Sequence, residues 1–164
     1  MRRHINYLRY VLRHKWFVFL ACWGLEVPLF IALFHDWDKF LPDEWFGYAR
    51  CFYKSDGSKQ YDEPQMVTCW NAHQKRNKHH WQYWMLVWDR GETECLPMPE
   101  VYRREMLADW MGAGRAVNKP DTWAWYEANK EKIQLHPDTR KQLEWDLSQL
   151  KLRQLREAAR ATHH

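Results

Sequence analysis

The stretch Phe34-His35-Asp36-Trp37-Asp38-Lys39-Phe40 closes a long apolar run and contains the residues that decide the fold and the candidate site. It places a histidine, an adjacent aspartate and, three residues after that aspartate, a lysine within one turn. Such a doublet brings a neutral nitrogen and an anionic oxygen to one point in space. A borderline divalent cation prefers this pair of donors. We therefore expect a metal ligand pair at the end of a buried segment.

The segment before this stretch predicts two helices. The first runs from about residue 5 to residue 23, because its apolar side chains recur every three or four residues. Gly24 ends this helix, and Pro28 suits the first turn of the next. The second helix then delivers His35 and Asp36 at its C-terminal end. The predicted buried stripe of the first helix consists of Tyr7, Val11, His14, Val18 and Ala21 or Cys22.

The remaining sequence continues in helices separated by polar loops. Proline and acidic residues favour helix starts at Pro42 and Glu63, after Pro99 and near Asp121 and Pro137. No alternating strand pattern is convincing, and 164 residues suffice for one core. We predict an all-α, single-domain helical bundle, with a metal-binding body over residues 1–136 and an amphipathic C-terminal helix over residues 137–164.

The C-terminal helix allows two interpretations. Its leucines, at positions 143, 147, 150 and 155, form one apolar side opposite dense charge. They would pack on the body of the same chain, or they would form the seam of a homodimer. The terminal His163 and His164 are left out of the site.

Composition excludes several classes of function. The net charge is +4, too low for a dedicated nucleic-acid binder, so no stable nucleic-acid partner is expected, whereas an anionic small molecule is compatible with it. The four cysteines lack the spacing of a zinc ribbon and predict reduced thiols in the cytoplasm. Cys69 and His73 lie one helical turn apart, but core packing is the expected role of this cysteine.

The apolar run over residues 16–34 raises the question of a membrane segment. Gly24, Glu26 and Pro28 fall in its middle and divide it into two short helices. The run also ends directly in the His-Asp doublet. We therefore rank a membrane-associated protein last among the alternatives.

The histidines and a distant aspartate suggest a shared site. His73, Asn77 and His80 are spaced so that an unbroken helix would project all three from one face, and His79 is adjacent. Asp109 lies on a later helix. Each has an ordinary alternative: a hydrogen-bonded core histidine, a surface pair, or an ion pair of Asp109 with Arg103 or Arg104. An all-α core has few reasons to collect so many ionisable groups unless they converge.

The order His14, His35-Asp36, Lys39, His73, His79-His80, Asp109 resembles the HD-domain metal-dependent phosphohydrolases. The form His-Asp-x-x-Lys followed by further histidines is similar to their cyclic-dinucleotide phosphodiesterase branch, although the Gly-Tyr-Pro motif of that branch is absent. His-Asp-Trp-Asp-Lys-Phe, Asn-Lys-His-His-Trp at 77–81 and Met-Leu-Ala-Asp-Trp at 106–110 also resemble a small family common in bacteriophages, which would place the protein in the host cytoplasm.

The resemblance implies a helical HD-like fold and one or two divalent ions among Mn, Fe, Co, Ni and Zn. It implies His14, His35, Asp36 and Asp109 as ligands of the first ion. Asp36 would bridge to a second ion, held by His73, His79 and His80. Asp36 and Lys39 would act in catalysis. The side chains expected to contact a phosphorylated substrate are Lys39, Asn77, Arg103, Arg115 and Lys119.

Three functions fit these expectations. The leading one is a metal-dependent phosphohydrolase or phosphodiesterase that acts on a nucleotide or cyclic (di)nucleotide. The second is a module that binds a nucleotide at a degenerate site without cleaving it. The third is a membrane-associated structural protein built on the apolar run.

Overall fold

The computed structural model describes residues 1–161, and seven α-helices account for most of them. In chain order these are α1 Arg2–Gly24, α2 Leu29–Phe34, α3 Pro42–Phe52, α4 Glu63–Arg76, α5 Glu100–Ala116, α6 Thr122–Asn129 and α7 Pro137–Ala161. Short 3-10 turns occur at Trp37–Phe40, Trp81–Trp84 and Lys130–Lys132. The predicted all-α helical bundle is confirmed, and the helix starts predicted from proline and acidic residues agree with it.

The long helices α1 and α5 form the centre of the bundle. The predicted stripe of α1 is buried over its whole length, from Tyr7 to Cys22. Gly112 of α5 lies against Val18 of α1, so closely that a Cβ atom at Gly112 would lie 2.3 Å from Val18 Cγ2. This close approach brings His14 and Asp109, one turn away on each helix, next to each other.

A small hairpin was not predicted. Strand β1, Met85–Val87, pairs antiparallel with β2, Thr93–Cys95. The turn between them was predicted and contains Gly91 with a φ angle of +89°. Each strand has three residues, which is too short for an alternating pattern to be recognised in the sequence.

The second helix differs from the expected buried segment. Ala32 is the one buried residue of α2, while Leu29, Phe30, Leu33 and Phe34 are all more than half exposed. Six residues make less than two turns, so such a short helix presents only a narrow face to the core. Within residues 1–161, no helix combines the length and the apolar character needed to cross a membrane.

The first half of α7 packs on the body. Leu143 and Leu147 are buried in the main core, and Leu150 packs against it. Leu155 is exposed, like every residue from 151 to 161. Pairing of two copies through this exposed half stays a prediction. His163 and His164 lie outside the described residues.

Candidate metal centre

Seven side chains predicted as metal ligands converge in the interior of the bundle. None of them is more than 9% exposed to solvent. They come from three helices and two connections: His14 from α1, His35 and Asp36 from the connection after α2, His73 from α4, His79 and His80 from the segment after α4, and Asp109 from α5.

The connection after α2 is shaped around Asp36. His35 follows the last residue of the helix with φ −48° and ψ 127°, outside the helical region, and Asp36 has a φ angle of +53°. This left-handed conformation is costly for most side chains and is better tolerated by aspartate. The chain reverses at this residue and enters the 3-10 turn Trp37–Phe40. Both doublet side chains are buried as a result.

The first ligand group consists of His14, His35, Asp36 and Asp109, whose donor atoms all lie within 4.8 Å of one another. His14 Nε2 lies 3.1 Å from Asp36 Oδ2 and 3.2 Å from Asp109 Oδ1. His35 Nε2 lies 3.3 Å and 3.5 Å from the same two oxygens. With metal–ligand bonds of about 2.0–2.1 Å, tetrahedral ligands are separated by roughly 3.3 Å. The observed spacings fit this value.

The second ligand group consists of Asp36, His73, His79 and His80, again within 4.8 Å. His73 Nε2 and His79 Nε2 each lie 3.3 Å from Asp36 Oδ1. Asp36 Oδ1 and the Nε2 atoms of all three histidines are buried without a hydrogen-bond partner. Buried polar atoms are rarely left unsatisfied, and four together indicate a missing common partner.

Asp36 joins the two groups through different oxygens. Its Oδ2 faces His14 and His35, whereas its Oδ1 faces His73 and His79. A carboxylate in this position can bridge two cations. The bridging role that the resemblance implied for Asp36 therefore agrees with the geometry.

The tautomers of the histidines favour a bound cation. His35 Nδ1 donates to Glu105 Oε1 at 3.0 Å, and His73 Nδ1 donates to Glu44 Oε2 at 2.9 Å. A neutral imidazole that carries its proton on Nδ1 has a lone pair on Nε2. Those lone pairs face oxygens of Asp36. Only a positive charge between the two atoms, a proton or a metal ion, makes this contact favourable.

The pKa shifts of the histidines also indicate a negative electrostatic potential around the ligands. Burial alone would lower the pKa of His35, but Asp36 and Asp109 outweigh it and raise this pKa well above its usual range. Burial is outweighed in the same way at His73, where Asp36 is the main carboxylate that raises the pKa, to about 10. The pKa of His80 is lowered by burial and by His79 and His73, which keeps this imidazole neutral. The site thus attracts cations and contains a neutral nitrogen donor.

Three buried carboxylates that the sequence analysis missed support the ligands from behind. Glu105 accepts from His35 Nδ1 and lies 3.3 Å from His79 Nδ1, so it contacts one ligand of each group. Glu44 and Asp38 both face His73 Nδ1, at 2.9 Å and 3.2 Å. Such carboxylates fix the ring orientation of metal-bound histidines. One signal was available: Glu105 precedes Asp109 by four residues and so lies on the same face of α5.

Lys39 and Asn77 lie beside the ligands. Lys39 Nζ lies 2.5 Å from Asp36 Oδ2. Burial would lower the pKa of Lys39, but Asp36 and Asp109 raise it above its ordinary value, so this side chain stays charged. Asn77 donates to the Asp38 carboxylate and to the His73 carbonyl oxygen. Its amide therefore helps to hold the supporting residues around His73.

The three other residues predicted to contact substrate lie apart from the ligands. Arg103 is buried and forms an ion pair with Asp146 of α7, so it joins two helices instead of facing the site. Arg115 borders a small crevice between α5 and α7. Lys119 borders a larger cavity that also includes Tyr10 and Trp110. Of the three, only Lys119 shares a cavity with neighbours of the ligands, namely Tyr10, which contacts His14, and Trp110, which follows Asp109.

The predicted single helical face of His73, Asn77 and His80 is wrong. Helix α4 ends at Arg76, Asn77 caps it, and His80 follows in an extended conformation. The histidines still meet, because the chain turns back at the helix end. Cys69 is buried, and its thiol donates to the Gln65 carbonyl oxygen, in agreement with the expected packing role.

Residues 3–149 match the model of a protein family described as a family of unknown function, DUF5662. The chain belongs to this family. The match spans every residue of both ligand groups and the three supporting carboxylates. No curated protein and no solved structure is detectably similar to the chain.

Proposed function

We propose that the protein is a metal-dependent phosphohydrolase that acts on a nucleotide or a cyclic (di)nucleotide. The observation that carries the proposal is the pair of buried ligand groups that share Asp36. The order of the ligands along the chain, which is similar to that of the HD-domain phosphohydrolases, supports it. The mixed nitrogen and oxygen donors suit Mn, Fe, Co, Ni or Zn.

Divalent ions held in such a site lower the pKa of water and polarise phosphoryl oxygens. The residues of the chain supply the remaining parts of the proposed mechanism. Asp36 fixes the distance between the two ligand groups through its two oxygens. Lys39 places a permanent positive charge beside Asp36, where it offsets negative charge that develops on a phosphate.

A cavity of about 610 Å³, lined by neighbours of the ligands and not by the ligands themselves, supports a substrate with an aromatic part. Its wall includes Tyr10, whose ring stacks on His14 with centroids 6.2 Å apart. Trp110, the residue after Asp109, and Trp125 line it with rings 5.0 Å apart. Aromatic rings stack on nucleobases, and Lys119 on the same wall offers a charge to a phosphate. We propose that the nucleoside part of the substrate occupies this cavity.

The proposed location is the cytoplasm. All four cysteines are free, and three of them are buried. Free thiols persist in a reducing compartment.

Metal content tests the site independently of the substrate. We expect elemental analysis of protein purified without chelator or His-tag to find one to two equivalents of a transition metal. Asp36→Ala should lose the metal of both groups, because it removes the shared carboxylate. Asp43→Ala is a matched control, since Asp43 is half exposed and pairs with Arg76. Metal-free wild type, or an Asp36→Ala variant that retains its metal, would contradict the proposed site.

Hydrolysis is tested next, with a panel of nucleotides and cyclic dinucleotides. We expect phosphate or nucleotide release by the metal-loaded protein and its loss in His35→Ala and Asp36→Ala, with the fold checked by circular dichroism. Activity retained in either variant would reject the mechanism. A metal-loaded protein that binds a nucleotide and releases no product would instead indicate the sequestering module.

A further inference from the structure

Helix α1 has a second apolar face that the bundle does not cover. Its members recur every three or four residues from position 5 to position 23, at the period of the helix, so they form a straight stripe along the axis. The stripe consists of Ile5, Leu8, Leu12, Trp16, Leu20 and Trp23, all of them exposed. The opposite face of α1 is the buried stripe that packs in the core. A helix that is apolar on two faces has more apolar surface than its own chain buries.

The exposed apolar surface continues beyond α1. After a turn of four residues, α2 exposes Leu29, Phe30, Leu33 and Phe34, and Trp37 follows. Three of the exposed residues between positions 5 and 37 are tryptophans, namely Trp16, Trp23 and Trp37. Scattered apolar residues are normal on a protein surface, but a run of this length marks an interaction site.

The charge on this surface is predominantly positive. Helix α1 carries Arg2, Arg3, Arg9, Arg13 and Lys15 and no acidic residue. The single acidic residue in positions 1–35 is Glu26, which lies 3.5 Å from Arg104 in an ion pair. Two copies of the chain that met through this face would bring their arginines together. A negatively charged partner is complementary to it.

We propose that the exposed face of α1 and α2 binds the surface of an anionic phospholipid bilayer. An interfacial helix of this kind combines an apolar stripe with a basic flank. Tryptophan rings are favoured at the boundary between headgroups and acyl chains, and basic residues are attracted by anionic headgroups. The face is distinct from the proposed phosphohydrolase site, because the ligands of that site are buried in the bundle.

Vesicle co-sedimentation of the full chain tests this proposal. We expect the protein to pellet with vesicles of phosphatidylglycerol and phosphatidylcholine, and to bind vesicles of phosphatidylcholine alone far more weakly. Trp16→Glu and Phe30→Glu place a negative charge on the face, at side chains that are 58% and 66% exposed, so the fold is kept. Each should weaken binding about tenfold or more. The matched control is Val67→Glu, since Val67 is 63% exposed but lies on α4.

Three results would overturn the proposal. The first is a wild type that stays in the supernatant with phosphatidylglycerol vesicles. The second is a Val67→Glu variant that loses binding as strongly as Trp16→Glu, which would mean that the face has no special role. The third is a wild type that sediments as a dimer in solution, becomes monomeric in Trp16→Glu and ignores vesicles. That result would assign the face to a second copy of the chain.

Discussion

At the scale of single residues, Glu105 occupies the most consequential position outside the ligands themselves. One of its oxygens lies 3.0 Å from His35 Nδ1 and 3.3 Å from His79 Nδ1. His35 belongs to the first ligand group and His79 to the second. Glu44 contacts His73 of the second group but no ligand of the first. Glu105 therefore supports both ligand groups, whereas Glu44 supports only the second.

We predict that Glu105→Gln weakens metal binding at both groups. Glutamine keeps the size of the side chain and removes the charge that orients both imidazoles. Losses of about tenfold or more in affinity are typical for such supporting residues. Calorimetric titration of the chelator-treated protein with Zn²⁺ or Mn²⁺, together with metal stoichiometry, measures the effect.

Glu44→Gln is the matched comparison. It should weaken the second group alone, because Glu44 reaches only His73 among the ligands. Two results would contradict the prediction that Glu105 supports both ligand groups. The first is a Glu105→Gln variant that binds both metal ions as tightly as the wild type. The second is a Glu105→Gln variant that, like Glu44→Gln, is weakened only at the second group.

At the scale of elements, the site depends on how closely α1 and α5 pack. The absence of a side chain at Gly112 lets the backbone of α1 approach at Val18. Each helix carries a ligand near this contact, His14 on α1 and Asp109 on α5, and their donor atoms lie 3.2 Å apart. A wider separation of the helices would move the two ligands apart.

We predict that Gly112→Ala lowers both stability and metal affinity. Its Cβ would lie 2.7 Å from Val18 N and 2.9 Å from Val18 Cα, so backbone must move. Overpacking of this kind costs about 1–3 kcal/mol in the free energy of unfolding. Alanine regains up to about 1 kcal/mol through its helix propensity. Urea denaturation and metal titration of the same samples measure the two effects.

Gly24→Ala provides the control for this change. Gly24 ends α1, and a Cβ there meets no atom within 4 Å. Its variant should therefore bind metal as the wild type does. A Gly112→Ala protein with unchanged stability and affinity would show that the helices do not need this contact.

At the scale of the whole molecule, the ligand groups act as a cross-link. They join α1, α4 and α5 with the ends of α2 and α4, which are distant in sequence. A cation held by these groups binds the folded chain, which brings the ligands together, in preference to the unfolded chain, which does not. Metal binding should therefore stabilise the fold as well as the site.

We predict that removal of the metal with a chelator lowers the melting temperature. At a free metal concentration about 1,000 times the dissociation constant, the stabilisation is about 4 kcal/mol. For a chain of this size that corresponds to a shift of roughly 10 °C. Differential scanning calorimetry, with and without metal added back, measures it.

The fall in melting temperature on metal removal should be smaller at pH 5 than at pH 8. Protons compete with the metal for the histidine nitrogens, so affinity falls as the pH is lowered. An Asp36→Ala variant, treated in parallel, should show little shift at either pH. A wild type whose melting temperature ignores the chelator would show that the cluster is held together without metal.

The sequence by itself determined most of the helices and which residues to propose as ligands. Helix ends depend on local backbone chemistry, so the residues next to them in the sequence predict them. Examples are the starts at Pro42 and Glu63 and the end at Gly24. The seven ligand residues could be proposed because few other uses explain so many ionisable groups in an all-α core. Their distances, and the division between the two oxygens of Asp36, could not be derived from spacing alone.

Only the tertiary structure decided how the helices share their surfaces. It supplied Glu105, Glu44 and Asp38 as partners of the ligands, because these contacts join residues that lie 26 to 70 positions apart, and no local pattern encodes them. It moved Arg103 from the predicted site to an ion pair with α7. It also left α2 exposed, since burial depends on which neighbours cover a helix and not on its hydrophobicity alone.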